Sequence, residues 1–111
     1  MEGGLAISEH IYTIDELKHI VTPIAKSHRL GRVYLFGSYA RGDATAASDI
    51  DLCIDASALH GLFALGGLYA DLEDALQKDL DLLTENALAR NKDKAFVENL
   101  RKDQVLLYEP A

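Results

Sequence analysis

Apolar side chains recur at helical spacing in the first third of the chain. Leu17, Ile20, Val21 and Ile24 fall on one face, so a helix is predicted there. Thr13-Ile14-Asp15-Glu16 stands just before them in the form of a capping box. The Thr13 hydroxyl can accept from the Glu16 backbone while the Glu16 side chain reaches back. Pro23 lacks an amide donor and predicts a kink or a division of this helix, which Gly31 then ends. Val33-Tyr34-Leu35-Phe36 is β-branched and aromatic and predicts a buried strand. A polar, Gly- and Ala-rich turn follows, from Gly37 to Ser48. Asp49 to Ile54 alternates polar and apolar at its start and predicts a second strand. From His60 to Lys78, the positions Leu62, Leu65, Tyr69, Leu72 and Leu76 are spaced by threes and fours, the mark of an amphipathic helix. Gly66-Gly67 weakens its middle. Leu80 to Leu83 predicts a third short strand, with one acid among leucines. Asn91 to Lys102 predicts a polar-faced helix around Phe96, Val97 and Leu100. Val105 to Tyr108 closes the chain as a strand or a helix end. The order α, β, turn, β, α, β, α predicts an α/β (α+β) domain, with helices packed on a small mixed sheet.

Composition narrows the function. The chain has 111 residues, 49% hydrophobic and 26% charged, which predicts one globular domain over 1–111 with a core at about 13–108. No apolar run approaches the ~18–20 residues of a membrane helix. The N-terminal MEGGLAISEH lacks a basic region followed by an apolar stretch, so no secretory signal is expected and the default compartment is cytoplasmic. The one cysteine, Cys53, sits among Ile50, Leu52 and Ile54 and reads as a core residue. His10, His19, His28 and His60 show no zinc-ligand spacing. The net charge of -7 argues against direct DNA or RNA binding, where phosphate contacts dominate affinity. It suits a carboxylate-rich metal site or a basic protein partner.

Three aspartates occupy positions that a buried strand would fill with apolar residues. Asp49 and Asp51 are two apart on a predicted strand, so their side chains share a face, ~6.5–7 Å apart along it. Asp81 interrupts the leucines of another strand. If that strand pairs beside the second, all three acids converge. Three such carboxylates repel one another unless a divalent cation joins them. The other half of the pattern is Phe36-Gly37-Ser38, a strand end that opens a turn. Glycine permits close approach of a phosphate, and Ser38 offers a hydroxyl and an N–H. Arg41 and Ser48 can add donors. Written out, the motif is Gly37-Ser38, ten residues, then Asp49-Ile50-Asp51. The basic residues Arg90, Lys92, Lys94, Arg101 and Lys102 read as a solvated face.

The strings Leu35-Phe36-Gly37-Ser38-Tyr39-Ala40-Arg41-Gly42 and Ser48-Asp49-Ile50-Asp51-Leu52 resemble the minimal nucleotidyltransferases of the DNA polymerase β-like superfamily. Leu80-Asp81-Leu82 resembles their third-carboxylate strand, and the resemblance spans roughly residues 13–108. It implies the polymerase β-like fold and an enzyme that uses ATP and two Mg2+ ions. It implies that Gly37 and Ser38 contact the triphosphate, with Arg41 and Ser48 as further phosphate contacts. Asp49 and Asp51 are then the metal ligands, and Asp81 helps hold the second metal and activates the attacking hydroxyl. Larger relatives carry an acceptor-binding domain. A minimal enzyme is expected to borrow that surface, as a homodimer or a hetero-oligomer. The partner implied is a HEPN-domain RNase toxin, with AMP added to its tyrosine by the minimal enzyme acting as antitoxin. Two alternatives stay open: modification of an aminoglycoside-like small molecule with a second subunit completing the site, and a non-catalytic antitoxin that acts by binding alone.

Overall fold

The structure, a computed structural model, describes residues 9–111. The leader reading rests mostly on residues outside that range. The first helix, α1, spans Ile14–Ser27 and begins with the expected capping box. The Glu16 amide donates to the Thr13 hydroxyl at 3.0 Å, and the Thr13 amide to the Glu16 carboxylate at 2.8 Å. Two details differ from the sequence expectation. The helix runs undivided through Pro23 and closes at Ser27, ahead of Gly31. Pro23 is exposed, so water can serve the carbonyl that its ring leaves without a donor. Leu17, Val21 and Ala25 hold the opposite face in the core.

The three expected strands appear in order, and the closing segment forms a fourth. They are β1 (Val33–Phe36), β2 (Ile50–Ile54), β3 (Leu80–Thr84) and β4 (Val105–Tyr108). They assemble as β3-β2-β1-β4. The pairs β1–β2 and β1–β4 are antiparallel, whereas β2–β3 is parallel. A parallel pair needs a crossover, and the helix α3 (Gly61–Leu76) supplies it. The closing segment is thus a strand, on the edge beside β1. Between β1 and β2 the expected turn contains a five-residue helix, α2 (Gly37–Arg41). Between β3 and the last helix, α5 (Lys94–Asp103), lies a short helix that the sequence pattern did not suggest, α4 (Glu85–Ala89). The Thr84 hydroxyl caps it by accepting from the Ala87 amide.

Strand alternation divides the side chains between two faces. Val33, Leu35, Ile50, Leu52 and Ile54 join α1 and α3 in the main core. On the other face Phe36 and Cys53 meet Leu88 of α4, with Val97 and Leu100 of α5 packed against them. Cys53 is fully buried, as its apolar setting suggested, and burial, then the nearby Glu85, push its thiol up to about 12. The buried stripe of α3 is Leu68, Leu72 and Leu76. Leu62, expected on that stripe, is instead 86% exposed, because the first turn of α3 projects beyond the core. Gly66-Gly67 does not interrupt the helix; burial of each leucine contributes on the order of 1.5–3 kcal/mol, more than the ~1 kcal/mol cost of a helical glycine.

Candidate active site

The second face of the sheet is left open at one end, where β2 and β3 begin. Asp51 and Asp81 are there as direct register partners across the parallel pair. The third strand therefore does pair beside the second. Asp49 immediately precedes β2 and is exposed, and the Ile50 amide after it donates to the Asp79 carbonyl at 3.0 Å. Asp51 is half-buried between them. Burial, then the charge of Asp81, then that of Asp49, raise its carboxyl to about 6, with Arg41 pulling weakly the other way.

Gly37 closes the site from β1. Phe36 pairs with Asp51 in the antiparallel register, which brings the first residue of α2 over the acid. Gly37 has φ +71°, and a Cβ there would collide with the Asp51 carboxylate. Both the backbone angle and the space thus demand glycine. The chain then enters α2, so the amides of Gly37 and Ser38 lie in its first turn, where helical N–H groups have no internal partner. Arg41 is half exposed in the last turn of α2, and its Nε lies 3.6 Å from Asp43.

Ser48 has a different local task. Its hydroxyl accepts from the Thr45 amide at 2.8 Å, and its own amide donates to the Thr45 carbonyl at 3.0 Å. It orders the loop that delivers Asp49. Lys78 helps in this: it is 2% exposed, and its Nζ donates to the Ala46 carbonyl at 2.8 Å. One buried side chain thus ties the Asp49 loop to the residues leading into Asp81. The sequence pattern did not single out Lys78, since nothing in its spacing distinguishes it from a surface lysine.

The acids open into a cleft of about 290 Å³. Gly37, Asp51 and Asp81 form its polar side, while Leu83, Phe96 and Leu100 form an apolar wall. The sequence marked Phe96 and Leu100 only as the apolar side of a helix. Of the basic residues that follow α4 and continue along α5, Arg101 is engaged in a pair with Glu85 at 2.8 Å. Among the described residues, no three His, Cys, Asp or Glu side chains form a group able to hold a metal ion. Magnesium does not require such a cage, since one or two carboxylates plus substrate phosphates ordinarily hold it. Asp51 and Asp81, two hard-oxygen donors that repel each other, are of that kind. No helix among the described residues is long and apolar enough to cross a membrane.

A strand end that turns through glycine into a helix, set against acids on two neighbouring strands, defines a nucleotidyltransferase-type α/β domain. The family model described as polymerase beta, nucleotidyltransferase matches residues 18–111, and the chain belongs to that family. A Methanocaldococcus jannaschii protein with the provisional name protein adenylyltransferase is 37% identical over 75 residues, 68% of this chain and 81% of that protein. The solved structure of a provisionally named minimal nucleotidyltransferase superposes with a TM-score of 0.67 at 26% identity, covering 88% of this chain and 98% of that one. A chain from the structure of tri-AMPylated Shewanella oneidensis HEPN toxin in complex with MNT antitoxin shares the fold. Its TM-score is 0.61 at 21% identity, over 88% of this chain and 74% of that one.

Proposed function

We propose that this chain, acting as one nucleotidyltransferase domain, is a magnesium-dependent protein adenylyltransferase of the cytoplasm. It transfers AMP from ATP to a tyrosine hydroxyl of a cognate HEPN RNase toxin and thereby acts as its antitoxin. The observation that carries the reading is the register pairing of Asp51 with Asp81 beneath Gly37. The relatives support the acceptor class: one is named for protein adenylylation, and another structure holds an AMPylated toxin with its antitoxin.

The amides and hydroxyl at Gly37-Ser38 bind the triphosphate, and Arg41 adds positive charge at its edge. Lys78, the Thr45–Ser48 turn and the strand pairing hold the three acids in place. Asp49, Asp51 and Asp81 are the residues that would hold magnesium, which when bound neutralises the triphosphate and lowers the pKa of the incoming hydroxyl. Asp81 takes the proton of the tyrosine hydroxyl. The phenolic oxygen then bonds to the α-phosphorus, the bond to the bridging oxygen of the β-phosphate breaks, and pyrophosphate leaves. Positioning and electrostatics supply most of the acceleration.

The test is mass spectrometry of the co-expressed toxin. Wild type should add 329 Da increments, about the mass of one AMP residue, to a tyrosine, with Asp49→Ala and Asp51→Asn each reducing transfer by roughly 10²-fold or more. Full transfer by either variant would sink the mechanism. Unmodified toxin that is still neutralised would favour an antitoxin acting by contact alone.

A further inference from the structure

The apolar wall of the catalytic cleft has no task in the phosphate chemistry. Phe96 is 44% exposed and belongs to neither apolar cluster, although its neighbour Val97 packs into one. It sits in the first turn of α5, whose start is fixed by Asp93, with the Phe96 amide donating to the Asp93 carboxylate at 3.1 Å. Leu83 and Leu100 complete the wall and are partly buried in the smaller core, so they form a stable backing. The fold thus holds a half-exposed aromatic ring in the same cleft as Asp51 and Asp81.

We propose that Phe96, backed by Leu83 and Leu100, is the subsite for the phenol ring of the acceptor, and that it selects an aromatic hydroxyl over an aliphatic one. The inference rests on the adenylyltransferase reading of the same site. Two observations favour the acceptor ring over the nucleobase. The cleft contains Asp51 and Asp81, and of the triphosphate side only Gly37 reaches its edge, while Ser38, Arg41, Ser48 and Asp49 lie outside it. In-line displacement puts the acceptor opposite the leaving pyrophosphate, and the Asp81 side is where its hydroxyl must arrive. The volume, about 290 Å³, lies just below the ~300–1,000 Å³ of pockets that take whole small molecules, and it suits a single ring. Offset or edge contact with Phe96 orients a planar ring; an aliphatic serine or threonine side chain gains nothing comparable.

The experiment uses the full chain with labelled leucine methyls and N-acetyltyrosinamide as probe. The Leu83 and Leu100 signals should shift on titration, and N-acetylserinamide should leave them unmoved. Phe96→Ala should weaken the tyrosinamide response by about three- to tenfold, the range of an aromatic pair, and Phe96→Tyr should retain it. Because Phe96 belongs to neither buried cluster, Phe96→Ala should keep a cooperative melt close to that of wild type and Phe96→Tyr should match it, which separates loss of the subsite from loss of the fold. Unmoved methyls, an undiminished response in Phe96→Ala, or adenosine moving these methyls where tyrosinamide does not would each overturn the proposal. In transfer assays with the toxin, Phe96→Ala should raise KM for the acceptor by the same factor and leave KM for ATP within about twofold. Failure of wild type to transfer AMP would strike the adenylyltransferase reading; the methyl shifts would still decide the ring subsite.

Discussion

At residue scale the site depends on one glycine and one acid that face each other. Gly37 combines φ +71° with a carboxylate where its Cβ would stand. Gly37→Ala should therefore cost about 1–3 kcal/mol of stability and displace Asp51. Transfer should fall further than stability predicts, and chemical denaturation run beside the assay checks it; an active, stable alanine variant would contradict the geometry. Asp51 yields a second prediction. Its carboxyl is raised to about 6 in the fold, from the 3.8 of a free aspartate side chain, because burial and then the other acids disfavour its charge. A raised pKa means that the folded chain binds the extra proton. The stabilisation this confers is fully present below about pH 4 and is lost as pH rises through 6. Asp51→Asn, neutral throughout, should match wild type at pH 4 and exceed it at pH 7.5 without metal. The shift sets a ceiling near 3 kcal/mol, reduced to about 1–2 by solvent screening at a half-buried group. Urea titrations at the two pH values read it, and greater stability of wild type at pH 7.5 would reverse the sign. The motif itself was legible from sequence, since glycine, serine and two acids at fixed spacing are visible in the string. The steric reason for the glycine was not, because it arises from a strand register.

At the scale of elements, alternation and helical spacing locate three of the four strands and the three longer helices, and leave the closing segment open between strand and helix end. Thr13-Ile14-Asp15-Glu16 even specifies the cap atom by atom. The misses have a common cause: they lie where a local signal was weak or was outweighed by packing. The short helices α2 and α4 are five residues each, too brief for periodicity to register. In α3 the Gly66-Gly67 pair opposes the helix locally, and the buried Leu68, Leu72 and Leu76 hold it. That competition can be measured. A Cβ added at Gly66 meets nothing within 4 Å, and the residue is exposed in a helix interior. Gly66→Ala should then stabilise the chain by roughly 0.5–1 kcal/mol without altering transfer. Thermal melting would show it, and destabilisation would mean that the glycine is kept for a close approach absent from the isolated chain. The tie from Lys78 to Ala46 belongs to this scale as well. No pattern announces it, because the loop and the lysine are 32 residues apart and meet only in the fold.

For the whole molecule the question is how a chain of net charge -7 keeps Asp51 and Asp81 side by side, with Asp49 two residues away, at neutral pH. In the isolated protein burial, then the charges of Asp81 and Asp49, raise the Asp51 carboxyl to about 6, so protons compete with any cation for the site. If magnesium is the physiological counter-charge, metal and proton are linked: binding expels the proton, and affinity rises with pH through this window. A ligand that prefers the folded state stabilises it by RT ln(1 + [L]/Kd), about 2.7 kcal/mol at a hundredfold excess over Kd. The melting temperature of wild type should thus rise with magnesium plus a non-hydrolysable ATP analogue at pH 7.5, and much less at pH 5. Chelation with EDTA should abolish the gain. Asp51→Asn should lose the pH dependence of the gain along with most of the gain, since it removes both the charge and the competing proton. The opposite pattern, equal stabilisation at both pH values and in the variant, would place the nucleotide elsewhere on the molecule. It would leave Asp51 and Asp81 as neighbours in the sheet with no shared cation.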